Sequence, residues 1–134
     1  MDAERAVLGQ IMLNPGALPD VRALVTADQF YSQNNRNVFA MLCSMADEGV
    51  PIDTVSIADR VMRDGGQFRY GGLAYVVELP DNAITTTNFR HYATIIRHKA
   101  ILRMVLSGTD DLREKARANA PDVLAVVSDL SAAL

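Results

Sequence analysis

From Phe89 to Arg117 the chain contains no proline and a single glycine, Gly108. An uninterrupted run of about 29 residues predicts one continuous helix, roughly 43 Å long at the helical rise. Ile95, Leu102 and Thr109 recur every seven residues along it, and Val105, Leu106, Leu112 and Ala116 widen the apolar stripe. Asn119-Ala120-Pro121 then predicts a turn, with proline at the first position of another helix. Val123, Val127, Leu130 and Leu134 carry the apolar spacing of that second arm. The arms are unequal: the second covers only about 21 Å and ends at Leu134 in mid-stripe, without a cap. The expectation is that the chain is cut from a longer protein, that the uncovered stripe docks elsewhere, or both.

Upstream, apolar spacing and punctuation predict a succession of short helices. Val7, Leu8, Ile11 and Met12 form the first stripe, with Asp2 placed to accept from the free amides at its start, and Asn14-Pro15-Gly16 breaks it. Leu18, Val21, Leu24 and Val25 form a second. Thr26-Ala27-Asp28-Gln29 reads as a capping box opening a turn that delivers Phe30 and Tyr31. A longer helix is predicted from about Gln33 to Glu48, burying Val38, Phe39, Leu42, Met45 and Ala46, with Gly49 at its left-handed end. Asp53 caps a helix whose stripe reads Val55, Ala58, Val61 and Met62. Gly65-Gly66 ends it, and Gly71-Gly72 introduces a short helix with Leu73, Ala74, Val76 and Leu79 that stops before Pro80. Asp81-Asn82-Ala83-Ile84 reads as a linker, and Thr85-Thr86-Thr87-Asn88 as a cluster of N-caps. The predicted class is all-α: a compact multi-helix head, residues 1–84, followed by a long antiparallel helical hairpin, residues 85–134.

Composition narrows the function. Hydrophobic residues make up 49% and charged residues 22%, which excludes a disordered chain and a disulfide scaffold. No apolar run approaches the roughly 20 residues of a membrane span, and no signal peptide opens the chain. The one cysteine, Cys43, suits a reducing compartment, so the expected location is cytoplasmic. Its expected role is that of a small buried hydrophobe.

Chemistry-bearing constellations are missing from the sequence. Neither glycine pair is followed by the Lys-Ser/Thr of a phosphate loop, and no paired-cysteine or HExxH spacing occurs. His91 and His98 stand two turns apart on one helix face, about 10 Å along the axis and too distant to share a metal. No catalytic residue, cofactor or metal ligand is expected. One charge asymmetry stands out. Between Asn82 and Thr109 there is no acidic residue, yet Arg90, Arg97, Lys99 and Arg103 fall there. The strip reads either as a solvated helix back or as a surface that touches phosphate or an acidic partner. Against a dedicated nucleic-acid surface stand the net charge of −3 and the sparse aromatics, 6%.

A resemblance runs through nearly the whole chain. Ala3-Glu4, Val7-Leu8-Gly9 and Met12-Leu13 are similar to the opening helix of the N-terminal domain of DnaB-type replicative DNA helicases. Asp28, Phe30-Tyr31, Arg36 and Val38-Phe39 resemble that family's D-x-F-Y segment and following helix, and Pro51-Ile52-Asp53 with Ala58 its proline-led helix start. The most specific signature is Gly71-Gly72-Leu73-Ala74-Tyr75 with Glu78-Leu79, and Asn88, Tyr92-Ala93 and Ile95-Ile96 match the opening of its long helix. The chain departs from the pattern at Gln33-Asn34-Asn35, where many members carry Arg-Pro-x-His, and at Arg97-His98-Lys99 and Met104, where the family often alternates acids and bases.

The resemblance implies a collar domain of a ring-shaped hexamer, whose hairpins pair between subunits and receive primase and, in some systems, a helicase loader. ATP and magnesium belong to a C-terminal motor that would follow beyond a linker, so this chain by itself is expected to lack helicase activity. The residues expected at subunit or primase contacts are Ile95, Leu102, Val105, Leu106 and Leu112, with Arg90, Arg97, Lys99 and Arg103 as electrostatic contacts. Two rival readings follow: a free-standing mimic of the collar that sequesters primase or loader, and a weak nucleic-acid-binding module using the acid-free strip 82–109. No membrane association and no direct DNA contact are expected of the leading one.

Overall fold

The computed structural model describes residues 2–83, 88–118 and 130, and among these every regular element is helical and none is a strand. Helix α1 spans Asp2–Leu13 and buries Val7, Leu8 and Ile11. A 3-10 turn at Pro15–Ala17 leads into α2, Leu18–Leu24, which buries Leu18 and Val21. The turn Ala27–Gln29 is held by the expected box: the Gln29 side-chain oxygen accepts from the Thr26 N–H at 3.0 Å. It delivers Phe30 to the core, with its ring 5.0 Å from that of Phe39. Helix α3, Gln33–Asp47, is capped by Ser32 and ends where Gly49 adopts φ +73°. Its buried face, Val38, Phe39, Leu42 and Met45, is the predicted one, extended by Met41. Ala46 is exposed.

Helix α4, Thr54–Arg63, begins at the predicted cap, with Asp53 accepting from the Ser56 N–H at 2.7 Å. Its buried face keeps Val61 of the predicted stripe but not Val55 or Met62. Ile57 and Val61 point into the core, while Val55 and Met62 are 80% and 68% exposed. Both phases offer apolar residues at helical spacing, and contact with α6 decides between them. Two further elements were not legible. Gly66–Tyr70 forms a one-turn helix, α5, which buries Tyr70. After α6, Leu73–Glu78, the expected linker is instead a 3-10 turn, Leu79–Asn82, packed closely on α1 with Leu79 and Ala83 buried. Gly9 makes that approach possible, since a Cβ there would overlap the Leu79 carbonyl oxygen.

A buried carboxylate joins the segments that carry the resemblance. Glu4 is 1% exposed. Its carboxylate accepts from the Tyr31 N–H at 2.6 Å, the Ser32 N–H at 3.3 Å and the Asn35 side-chain amide at 2.8 Å. The Tyr75 hydroxyl donates to the other end of the Asn35 amide. Arg36 Nε donates to the Phe30 carbonyl at 2.6 Å, bracing the same bend. A charge this deep is tolerable because donors surround it.

The long helix α7 runs from Phe89 to Ala118. Asn88 is placed as its cap, accepting from the His91 N–H at 3.4 Å. Residues 84–87 and the predicted turn and second arm, including Val123, Val127 and Leu134, lie outside the described residues; of that arm Leu130 is described, and it is helical. By packing, the chain divides into two compact units, 1–97 and 98–134, rather than at residue 84. The reason is that Ala93 and Ile96, on the first turns of α7, are buried in the core of the first unit.

Candidate functional site

The apolar residues of α7 have different fates. In the first unit, Ala93 and Ile96 are buried, and Ile95 is half-buried. In the second, Leu102 and Leu106 are 60% and 63% exposed, one turn apart on one edge of the helix, and Ile101 and Met104 are also exposed. Val105 and Leu112 are half-buried. Gly108 faces Leu130, whose Cδ1 stands 2.5 Å from where a Cβ would be, so glycine lets the two approach closely. Val105 and Leu112 lie on the Gly108 side of the helix by their spacing, whereas Leu102 and Leu106 lie round from it. Part of the stripe is therefore shielded and part is open to water.

The four cations predicted as electrostatic contacts also separate. Arg90 pairs with Asp20 at 2.8 Å and lies over the Phe89 ring, 4.9 Å from its centroid. It is spent on a contact within the first unit. Arg103 is half-buried. Arg97 and Lys99 are exposed, and among the described residues neither has a carboxylate partner. The head behaves differently: Arg22 pairs with Asp47 at 2.8 Å, Arg60 with Glu48 at 2.5 Å and Arg63 with Asp59 at 3.1 Å. Those pairs hold the Asp47 and Glu48 carboxyls below the usual carboxylate range, through the hydrogen bonds from Arg22 and Arg60.

Other places where chemistry might reside carry little. Among the described residues no group of three or more His, Cys, Asp or Glu is arranged to hold a metal ion, and His91 and His98 are both exposed. Cys43 is half-buried beside Arg22 and Phe39, and burial pushes its thiol up, away from the reactive thiolate. A cavity of about 270 Å³ between α3, α4 and α5 is lined by Ser44, Arg60, Asp64, Arg69 and Tyr70. Its polar groups are largely engaged with one another, with the Tyr70 hydroxyl donating to Asp64 at 2.7 Å. Burial, followed by the Asp64 bond, pushes the Tyr70 phenol up to about 12. No described helix is long and apolar enough to cross a membrane. The sequence pointed to Leu102 and Leu106 through their heptad-like spacing; it gave no sign that Glu4 would be buried, beyond its place in the opening motif.

Comparison with known proteins agrees with this architecture. The chain is 31% identical over 106 residues to the replicative DNA helicase DnaB of Geobacillus stearothermophilus, covering 79% of this chain and 23% of that protein. It is 34% identical over 115 residues to the DnaB of Haemophilus influenzae, covering 86% and 25%. The chain thus spans about a quarter of the length of the curated relatives it matches. Among solved structures, the crystal structure of the N-terminal domain of DnaB helicase from Mycobacterium tuberculosis superposes with a TM-score of 0.84 at 30% identity, covering 98% of this chain and 93% of that one. A DnaB-like replicative helicase, described with its interactions with primase, superposes with a TM-score of 0.74 at 23% identity over 96% of this chain and 31% of that one, a likeness of fold. Residues 1–98 match the family described as the DnaB-like helicase N terminal domain, and it is to this family that the chain belongs.

Proposed function

We propose that this chain is the collar module of a hexameric replicative helicase, joining subunits and receiving primase or a loader, with no catalysis in this segment. The observation that carries the reading is the open edge of α7. Leu102 and Leu106 remain more than half exposed on a helix whose neighbouring apolar positions, Val105 and Leu112, are partly shielded. Burying two such side chains in a partner contributes about 1.5–3 kcal/mol each, enough to make them anchors of an interface. The relative whose published description names primase shares this fold. In this reading the hairpin docks through its part beyond residue 97, and Val105 and Leu112 extend the contact made by Leu102 and Leu106. ATP and magnesium act in a motor domain elsewhere in the parent protein.

Sedimentation of the chain across concentration, with and without a primase C-terminal domain, tests this directly. Leu106→Asp is expected to leave the head folded while weakening self-association or primase binding by roughly ten- to a hundredfold, because it removes an apolar anchor and sets a carboxylate against an apolar partner. Unchanged sedimentation together with an unchanged primase titration would refute the reading. The acid-free strip offers a second reading, nucleic-acid binding, favoured by the exposed Arg97 and Lys99, neither of which has a carboxylate partner among the described residues. It requires oligonucleotide affinity that falls steeply with salt, and a chain that shifts no oligonucleotide at low salt disposes of it.

A further inference from the structure

The one-turn helix α5 carries two aromatic residues with opposite fates. Tyr70 is 2% exposed and belongs to the core of the first unit, while Phe68, two residues earlier, is 96% exposed. Two positions on a helix are about 200° apart, so the rings stand on opposite sides of a single turn. Burial alone favours the reverse arrangement, because a phenyl ring brings no hydroxyl into the core and a phenol does. What holds Tyr70 inside is polar. Its hydroxyl donates to Asp64 at 2.7 Å, and the Asn37 side-chain amide donates to the neighbouring Arg69 carbonyl at 2.6 Å. Both ends of α5 are glycines with positive φ, Gly65 at +80° before it and Gly71 and Gly72 at +83° and +101° after it. Glycine reaches either sign of φ, so these positions can absorb a rotation that the longer helices α3 and α4 do not share. Room lies beside the ring as well: Tyr70 stands on the wall of the cavity of about 270 Å³ between α3, α4 and α5. A phenol turned into that cavity meets Asn37, Ser44 and Arg60 rather than hydrocarbon.

We propose that α5 is a two-state latch: rotation about its glycine ends exchanges the two rings, seating Phe68 in the core and turning Tyr70 into the polar cavity. The Tyr70–Asp64 hydrogen bond holds the state seen here. In the exchanged state the phenyl ring leaves water and the phenol keeps polar neighbours, so the two packings bury comparable rings and differ chiefly in one or two hydrogen bonds. Such near-balanced packings are what a bistable element requires. The exchange decides whether the head presents an apolar ring at its surface or withdraws it. It is independent of how α7 is covered, because every group involved lies within the first unit.

The full chain lacks tryptophan, so Phe68→Trp introduces a single indole whose fluorescence reports the exchange. With Asp64 in place the indole is expected to emit as in water and to be open to acrylamide. Adding Asp64→Ala removes the acceptor of the latch, and a hydrogen bond to a charged acceptor shifts such an equilibrium by about ten- to a hundredfold. The expected readout is a blue shift of the emission and a loss of acrylamide quenching. Tyr70→Ala, which empties the core position, is expected to move the indole further in the same direction. Because indole is larger than phenyl, NMR of the Asp64→Ala chain with Phe68 intact is the deciding measurement: the Phe68 ring is expected to gain contacts with buried methyl groups that the wild type lacks. A Phe68 ring that stays in water in both Asp64→Ala and Tyr70→Ala, with helicity unchanged by circular dichroism, overturns the proposal. A head that unfolds in Asp64→Ala overturns it too, since the Tyr70–Asp64 bond then holds the fold instead of choosing between two packings.

Discussion

Replacing Glu4 by glutamine tests whether the buried carboxylate holds the head together. The change keeps shape and volume and removes only charge and one acceptor. Oε1 accepts from Ser32 and Asn35, and Oε2 accepts the 2.6 Å bond from the Tyr31 N–H. A glutamine can turn its oxygen to one side only. If it keeps the pair on Oε1, its amide group faces the Tyr31 N–H, donor against donor, and a buried unsatisfied donor costs about 1–3 kcal/mol. Loss of charge assistance on the remaining two bonds adds to this, while a neutral side chain is easier to bury than a charge. The expected net destabilisation is about 2–3 kcal/mol, a large share of the 5–15 kcal/mol typical of a domain. The chain has no tryptophan, and its four tyrosines, Tyr31, Tyr70, Tyr75 and Tyr92, all lie in the first unit. Tyrosine fluorescence in urea therefore reports the head alone. The midpoint should fall with an unchanged slope. Tyr75→Phe, which removes only the hydroxyl donated to Asn35, should cost about 1 kcal/mol. A Glu4→Gln midpoint within about 0.5 kcal/mol of the wild type would refute the reasoning, because that is the range of surface changes touching nothing.

Three further outcomes follow from the packing. Gly9→Ala should destabilise the head by at least about 2 kcal/mol, since the added methyl overlaps the Leu79 carbonyl and backbone cannot swing aside; an unchanged urea midpoint would show that the two segments can separate freely. Gly108→Ala should be neutral or stabilising by up to about 1 kcal/mol, because the methyl meets only the movable end of Leu130 while the helix gains a better former; a loss of helicity by circular dichroism would contradict this. The Tyr70 phenol is raised to about 12 in the folded chain against 10 unfolded, so its contribution is complete below pH 10 and is lost as pH climbs through 12. Alkaline titration should then show Tyr70→Phe losing less stability than the wild type over that window, and identical alkaline profiles would exclude the phenol as a source.

Much of the helical outline was legible because helix ends are local chemistry. Asp53, Ser32 and the Thr26–Gln29 box act within three residues of their own helix starts, and Pro15, Gly49 and Pro80 break the chain where they stand. The open edge of α7 was legible for a related reason: the spacing of Leu102 and Leu106 places them on one edge, and the predicted second arm is too short to cover the whole stripe. The phase of α4 was legible only in part: Val61 of the predicted stripe is buried, but Ile57 joins it there in place of Val55 and Met62, because both sets satisfy helical spacing. The head's reach into α7 was not legible either, since the Pro80 break and the threonine run that follows it have the local features of a boundary, and only tertiary packing buries Ala93 and Ile96.

The sequence by itself determined where most helices start and stop, that a long one would run from Phe89, and that its strip from Asn82 to Thr109 would be free of acid. Tertiary structure alone decided which face of α4 is buried, why Glu4 is there, and which arginines are already spoken for. Caps and breakers exert their effect over a single turn, so neighbours in the chain suffice to read them. Glu4 meets Asn35 across 31 residues and Arg90 meets Asp20 across 70, and such encounters exist only once the core has brought distant segments together.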